Sequence, residues 1–293
     1  MQTFFELSGP LCDRERSRFH IIPVPYEATV CFQKGTQYGP EAILAVSDQL
    51  EHFDEELLQP IPREGVYTWP PVESADMPEE EMARIERFLR GERFFADRRF
   101  PILLGGEHSI TPPIVRVAAE HYPHLSVLQF DAHSDLRDHF THGGKFSHAS
   151  AMRRVLEVTP HLVQVGIRSF SEEDVVACPV QVENFVTPGM IEENADRALA
   201  RILDRLTADV YITFDMDALD PSFAPGVGTP EPGGLAWRTA TRILREVSAA
   251  KHVVGADVVE TMPIAGNQLT EFVAARVVAK IISYNSKSGW DRK

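Results

Sequence analysis

Leu125-Ser126-Val127-Leu128-Gln129-Phe130-Asp131-Ala132-His133-Ser134-Asp135 is the stretch on which the fold turns. Its first six residues form a short, mostly apolar run, the pattern of a strand buried on both faces. The run then meets Asp, His and Asp at alternate positions. Residues two apart on an extended chain point the same way. If the strand continues through the motif, Asp131, His133 and Asp135 emerge together at its carboxyl end. That is the end at which open α/β sheets bind ligands. Asp is seldom buried without a partner, so packing alone is a poor reason for the pattern.

Two further stretches share this design. Val210-Tyr211-Ile212-Thr213-Phe214-Asp215-Met216-Asp217 is a second apolar strand ending in acids two apart. Pro101-Ile102-Leu103-Leu104-Gly105-Gly106-Glu107-His108 is a third, running through a Gly-Gly turn to a histidine. The glycines let the backbone pass close to a neighbour. Together the three offer Asp131, Asp135, Asp215, Asp217, His108 and His133. Four carboxylates in one place repel strongly, and two divalent cations would balance them.

Outward from these strands the pattern repeats. Strands are expected at 19–24, 101–104, 125–131, 162–167, 209–215 and 252–259, with a short one at 65–68. Helices are expected from Pro40, over 79–97, after His108, and at 147–157, 190–206, 237–250 and 270–284. Residues 1–18 read as polar and irregular, and 57–78, with five prolines, as an excursion loop. Alternating strands and helices predict an α/β fold, a three-layer αβα sandwich with a mostly parallel central sheet. The 293 residues suffice for one domain, 1–293, with its core at about 19–284.

The net charge of −14 disfavours nucleic acid and anionic membrane as partners and mildly favours cationic ligands. Cys12, Cys31 and Cys178 are odd in number and include no CxxC, which fits a reducing cytoplasm. No run of about 18 apolar residues is present, and residues 1–6 lack the pattern of a signal peptide.

Gly105-Gly106-Glu107-His108, Asp131-Ala132-His133-Ser134-Asp135 and Phe214-Asp215-Met216-Asp217-Ala218-Leu219-Asp220-Pro221 resemble the three signatures of the ureohydrolase family, which includes arginase and agmatinase. Gly35-Thr36-Gln37-Tyr38-Gly39-Pro40 and Asp257-Val258-Val259-Glu260 match two further family segments, and Ser147-His148 is similar to the compact bacterial agmatinases. The resemblance implies the arginase-like fold and two manganese ions per chain. His108, Asp131, Asp135 and Asp215 would hold one ion. Asp131, His133, Asp215 and Asp217 would hold the other, with Asp131 and Asp215 bridging. An oxygen-dominated donor set suits manganese better than zinc.

The resemblance further implies hydrolysis of a guanidino compound to an amine and urea. Asp135 would orient the attacking water, Glu260 would hold the guanidinium, and His148 would shuttle a proton. It also implies a homo-oligomer, trimeric or hexameric. Agmatine, the precursor of putrescine in polyamine biosynthesis, is the first expectation for the substrate. Ser169-Phe170 stands where an arginase carries an acid for the α-amino group. Arg137 keeps 4-guanidinobutyrate open, and arginine, formiminoglutamate and free guanidine remain alternatives. A binuclear phosphoesterase would need a Gly-Asn-His element, which is absent. A catalytically silent metal-binding scaffold would be expected to have lost a ligand, and all six are present.

Overall fold

The structure is a computed structural model that describes residues 2–286; Met1 and residues 287–293 of the expected 1–293 span lie outside the described residues. The strands are β1 (Phe19–Val24), β2 (Phe53–Asp54), β3 (Gln59–Pro60), β4 (Val66–Thr68), β5 (Phe100–Gly105), β6 (Ser126–Phe130), β7 (Leu162–Val165), β8 (Asp209–Asp215) and β9 (His252–Val259). Seven of them form one sheet in the order β4-β1-β5-β9-β8-β6-β7. Every pairing in it is parallel. The remaining two, β2 and β3, pair antiparallel as a separate small ribbon.

The period of two divides each central strand between two cores. Ile21, Ile102 and Leu104 pack into one, while Ile22, Val24 and Leu103 pack into the other. Helices cover both faces, so near-continuous apolar strands are the sequence expected of this architecture. The helix Leu269–Asn285 lies against the first core and buries Lys280. That ammonium is 3.0 Å from Asp54, 2.9 Å from Glu55 and 3.4 Å from Glu56, which fastens the β2–β3 ribbon to the helix. Among the described residues, no helix is long and apolar enough to cross a membrane.

Several boundaries differ from the sequence reading. The helix expected over 79–97 is Pro78–Gly91. Phe94 and Phe95 continue its apolar spacing, but they reach the core from a turn bounded by positive φ at Arg93 and Arg98. The helix expected over 190–206 is two, Pro188–Glu193 and Ala195–Arg205, because Asn194 leaves helical geometry and its side chain caps the second at Arg197 N. Residues 1–18 are not uniformly polar in role, since Phe4 and Phe5 are fully buried. β6 stops at Phe130, so Asp131, His133 and Asp135 converge from an irregular turn rather than from a continued strand. Asp135 there takes φ +53°. The short strand at 65–68 is present as β4, the edge of the sheet.

Candidate metal centre and substrate pocket

The register of the sheet assembles the site. Phe130 of β6 stands beside Phe214 of β8, Phe214 beside Val258 of β9, and Val258 beside Leu104 of β5. Four adjacent strands therefore end in one row, and the residues just beyond them emerge side by side. From β5 comes His108, from β6 Asp131, His133 and Asp135, from β8 Asp215 and Asp217, and from β9 Glu260. All seven line one pocket.

Within it, two groups could each hold a metal ion: His108, Asp131 and Asp215, and Asp131, His133 and Asp217. Asp131 belongs to both. Asp135 joins the first through a carboxylate oxygen 3.1 Å from His108 Nδ1. His133 Nδ1 lies 2.8 Å from Asp217 and 3.6 Å from Asp131. The acids oppose one another electrically. Burial, then the neighbouring Asp217 and Asp131 carboxylates, raise the pKa of Asp215 well above the usual range. Burial and Asp131 push Asp135 up to about 6. Burial disfavours a charged His133, yet Asp217 and Asp131 push its pKa up to about 12. A buried cluster of this kind calls for positive charge.

The hydrogen bonds behind His108 test whether that charge suits a metal. Thr213 Oγ1 donates to Asp257 at 2.6 Å and lies 2.8 Å from His108 Nε2. With its single proton given to Asp257, Thr213 can only accept from the ring, which puts the ring proton on Nε2. Nδ1 is then a lone pair, buried and without a hydrogen-bond partner. It faces oxygens of Asp131, Asp135 and Asp215 at 3.0, 3.1 and 3.4 Å. One nitrogen lone pair confronting three carboxylates is the donor set of a cation, with Thr213 and Asp257 orienting the histidine from behind. The residues fit divalent metal.

The glycines act as expected. A Cβ on Gly106 would lie 2.0 Å from the Tyr26 carbonyl oxygen, so only glycine lets β5 turn there. Gly106 receives the Glu260 N–H at 2.7 Å, and Glu260 in turn accepts the His108 N–H at 2.8 Å. Glu260 is half-buried at φ +62°, an uncommon conformation held by these two bonds. Burial first, and Glu107 second, raise its pKa well above the carboxylate norm. A cation beside it would be strongly bound.

His148 opens a 3₁₀ turn capped by Ser147, whose hydroxyl accepts the Ala149 N–H, and its ring lines the pocket. Burial, then His133 and His108, bring its pKa down to about 4. Arg137 and Phe170 line the outer pocket, with the Arg137 guanidinium 5.3 Å from the Phe140 ring centroid.

Sequence reasoning did not single out Asp174, which also lines the pocket. Its Oδ2 accepts from Ser134 Oγ and Ser171 N, while its Oδ1 is buried with no hydrogen-bond partner. The Ser171-x-x-Asp174 capping box was the available signal. Thr213 was findable as well, since it stands two residues before Asp215 and so shares its face.

The arginase family model matches residues 17–283. The chain is 37% identical over 275 residues to the N(1)-aminopropylagmatine ureohydrolase of a Synechocystis species, covering 92% of this chain and 89% of that protein. It is 38% identical over 281 residues to the enzyme of the same name from Thermus thermophilus, covering 94% and 93%. The crystal structure of agmatine ureohydrolase of Thermoplasma volcanium superposes with a TM-score of 0.85 at 30% identity, covering 94% of this chain and 92% of that one. The chain belongs to the arginase family, whose named relatives are ureohydrolases, hydrolases that act on guanidino groups.

Proposed function

We propose that this protein hydrolyses the guanidinium group of an agmatine-type amine, giving the amine and urea, with two manganese ions per chain. The observation that carries this reading is the placement of Glu260 beside two His/Asp clusters that share Asp131. His108, Asp131, Asp135 and Asp215 would hold one ion, and Asp131, His133, Asp215 and Asp217 the other. Bound there, the ions would lower the pKa of water so that it attacks near neutral pH. Glu260 accepts a two-pronged hydrogen bond from the guanidinium and fixes its planar carbon for attack. Asp135 orients the attacking water, and His148 delivers a proton to the leaving nitrogen.

Agmatine lacks the α-carboxylate and α-amino group of arginine, and Ser169 and Phe170 offer no acid for the latter. A longer substrate, N(1)-aminopropylagmatine, is favoured by the names of two relatives. Urea release from agmatine, N(1)-aminopropylagmatine, arginine, 4-guanidinobutyrate, formiminoglutamate and guanidine tests both readings. One charged hydrogen bond is worth about 1.5–3 kcal/mol, so kcat/KM for the first two should exceed that for arginine by roughly tenfold or more. A higher value for arginine overturns the assignment. A preference for 4-guanidinobutyrate would instead point to Arg137 as a carboxylate partner.

A homo-oligomer, trimer or hexamer, is expected from the family resemblance. Light scattering at micromolar concentration checks this, and a monomer would contradict it.

A further inference from the structure

His148 meets a chain of hydrogen bonds that begins on the far side of the pocket wall. Glu107, fully buried, anchors the loop after β1. Its Oε2 accepts the N–H groups of Ala28 at 2.9 Å and Thr29 at 2.7 Å. Its Oε1 accepts the hydroxyls of Thr29 at 2.7 Å and Ser109 at 2.6 Å. Thr29 has one hydroxyl proton, and Glu107 takes it. Towards His148 the same oxygen can then only accept. It receives the His148 backbone N–H at 3.1 Å and lies 3.0 Å from His148 Nδ1. A ring nitrogen held there carries a proton. The other ring nitrogen, Nε2, is left bare, on the side where Cys31 Sγ of the pocket wall is 3.8 Å away.

We propose that Thr29, seated by Glu107, is a positioning residue that locks His148 in the tautomer with Nδ1 protonated and Nε2 bare towards the substrate. This rests on the reading of His148 as the group that serves the leaving nitrogen. Nε2 gains a proton as water adds to the guanidinium carbon. It returns that proton to the leaving nitrogen as the C–N bond breaks, the bonding pair staying on that nitrogen. The second proton of that water, left on the new hydroxyl, passes to the departing amine, so the substrate's charge leaves as an ammonium and urea leaves neutral. Throughout, Nδ1–H stays on Thr29, so the ring neither rotates nor offers the wrong nitrogen. Ser147 Oγ, 3.4 Å from Nδ1, is too distant to replace it well.

Thr29→Val keeps the shape and removes the hydroxyl. General acid–base assistance is commonly worth about 10²–10⁴-fold, and loss of the tautomer lock should forfeit part of it, roughly tenfold or more in kcat with KM within about twofold. Thr29→Ser restores the hydroxyl and should recover kcat to within about threefold. The second readout is the ¹⁵N-histidine spectrum of protein loaded with diamagnetic magnesium, with the His148 signals identified by their absence in His148→Asn. A protonated Nδ1 and a bare Nε2 in the wild type, with that preference lost in Thr29→Val, support the proposal. A wild type protonated on Nε2 overturns it, as does Thr29→Val with normal kcat. If Thr29→Val is poorly folded or short of metal, the wild-type spectrum decides alone. Absence of urea release from every guanidine would defeat the functional reading instead, and the spectrum would still judge the tautomer.

Discussion

Asp131→Asn lowers turnover by roughly 10³-fold or more and lowers metal content with it. Metal ions supply several kcal/mol of charge stabilisation in the transition state, and each 1.4 kcal/mol or so is a decade in rate. Asp131 is the residue common to both candidate clusters, so its loss weakens both ions at once. It also organises the turn: Oδ1 accepts the His133 N–H at 2.6 Å and Oδ2 accepts from Gln129 at 2.6 Å. Asp215→Asn should be comparably severe, because the proposed second bridge faces His108 at 3.4 Å. Asp217→Asn should be milder, since in the proposed ligand sets it would serve one ion where Asp215 would serve two. Elemental analysis of wild type and variants, followed by manganese reactivation, checks the whole set. The binuclear reading fails if wild-type protein is fully active with one ion per chain.

Glu260→Gln should cost roughly 10²-fold or more in kcat/KM with both metals retained. A guanidinium remains protonated in a protein site and reaches a centre already rich in positive charge. An anion must offset that repulsion, and on the proposed reading the four Asp side chains would be taken up by the metals. A charged, hydrogen-bonded partner in a desolvated site is worth about 2–5 kcal/mol, which sets the expected loss. The amide keeps the size and one acceptor of the carboxylate, so it can still receive the His108 N–H. Loss of metal in this variant would make Glu260 a ligand or its support. Near-normal kinetics with full metal would leave it a structural residue.

Much of the site was legible because its ligands sit at a period of two where apolar strands end. His108, Asp131, His133, Asp135, Asp215 and Asp217 all reach one pocket, as that pattern suggested, and Glu260, which the family resemblance named, lines it with them. What the pattern could not supply is the register of non-local strands, which depends on how side chains pack between sheet and helices. Nothing local states that Phe130, Phe214, Val258 and Leu104 share a row. Helix ends were misread where apolar spacing outlasted the helix, as at Phe94 and Phe95. Thr29 was invisible for a different reason. Its partners Glu107 and His148 lie 78 and 119 residues away, and a lone Thr in an irregular loop carries no periodicity.

The row of strand ends has a consequence for how this molecule can change. The candidate metal-holding groups and Glu260 follow four adjacent strands whose alignment is set by two cores, so a shift in one strand would disturb the others. The outer pocket is made instead by loops, around Phe32, Arg137, Phe170 and Thr229. Those loops can be recut one at a time while the charge balance beneath them stays intact. Selectivity is therefore a separable layer of this protein: a chisel whose handle is cast in the sheet and whose edge can be reground.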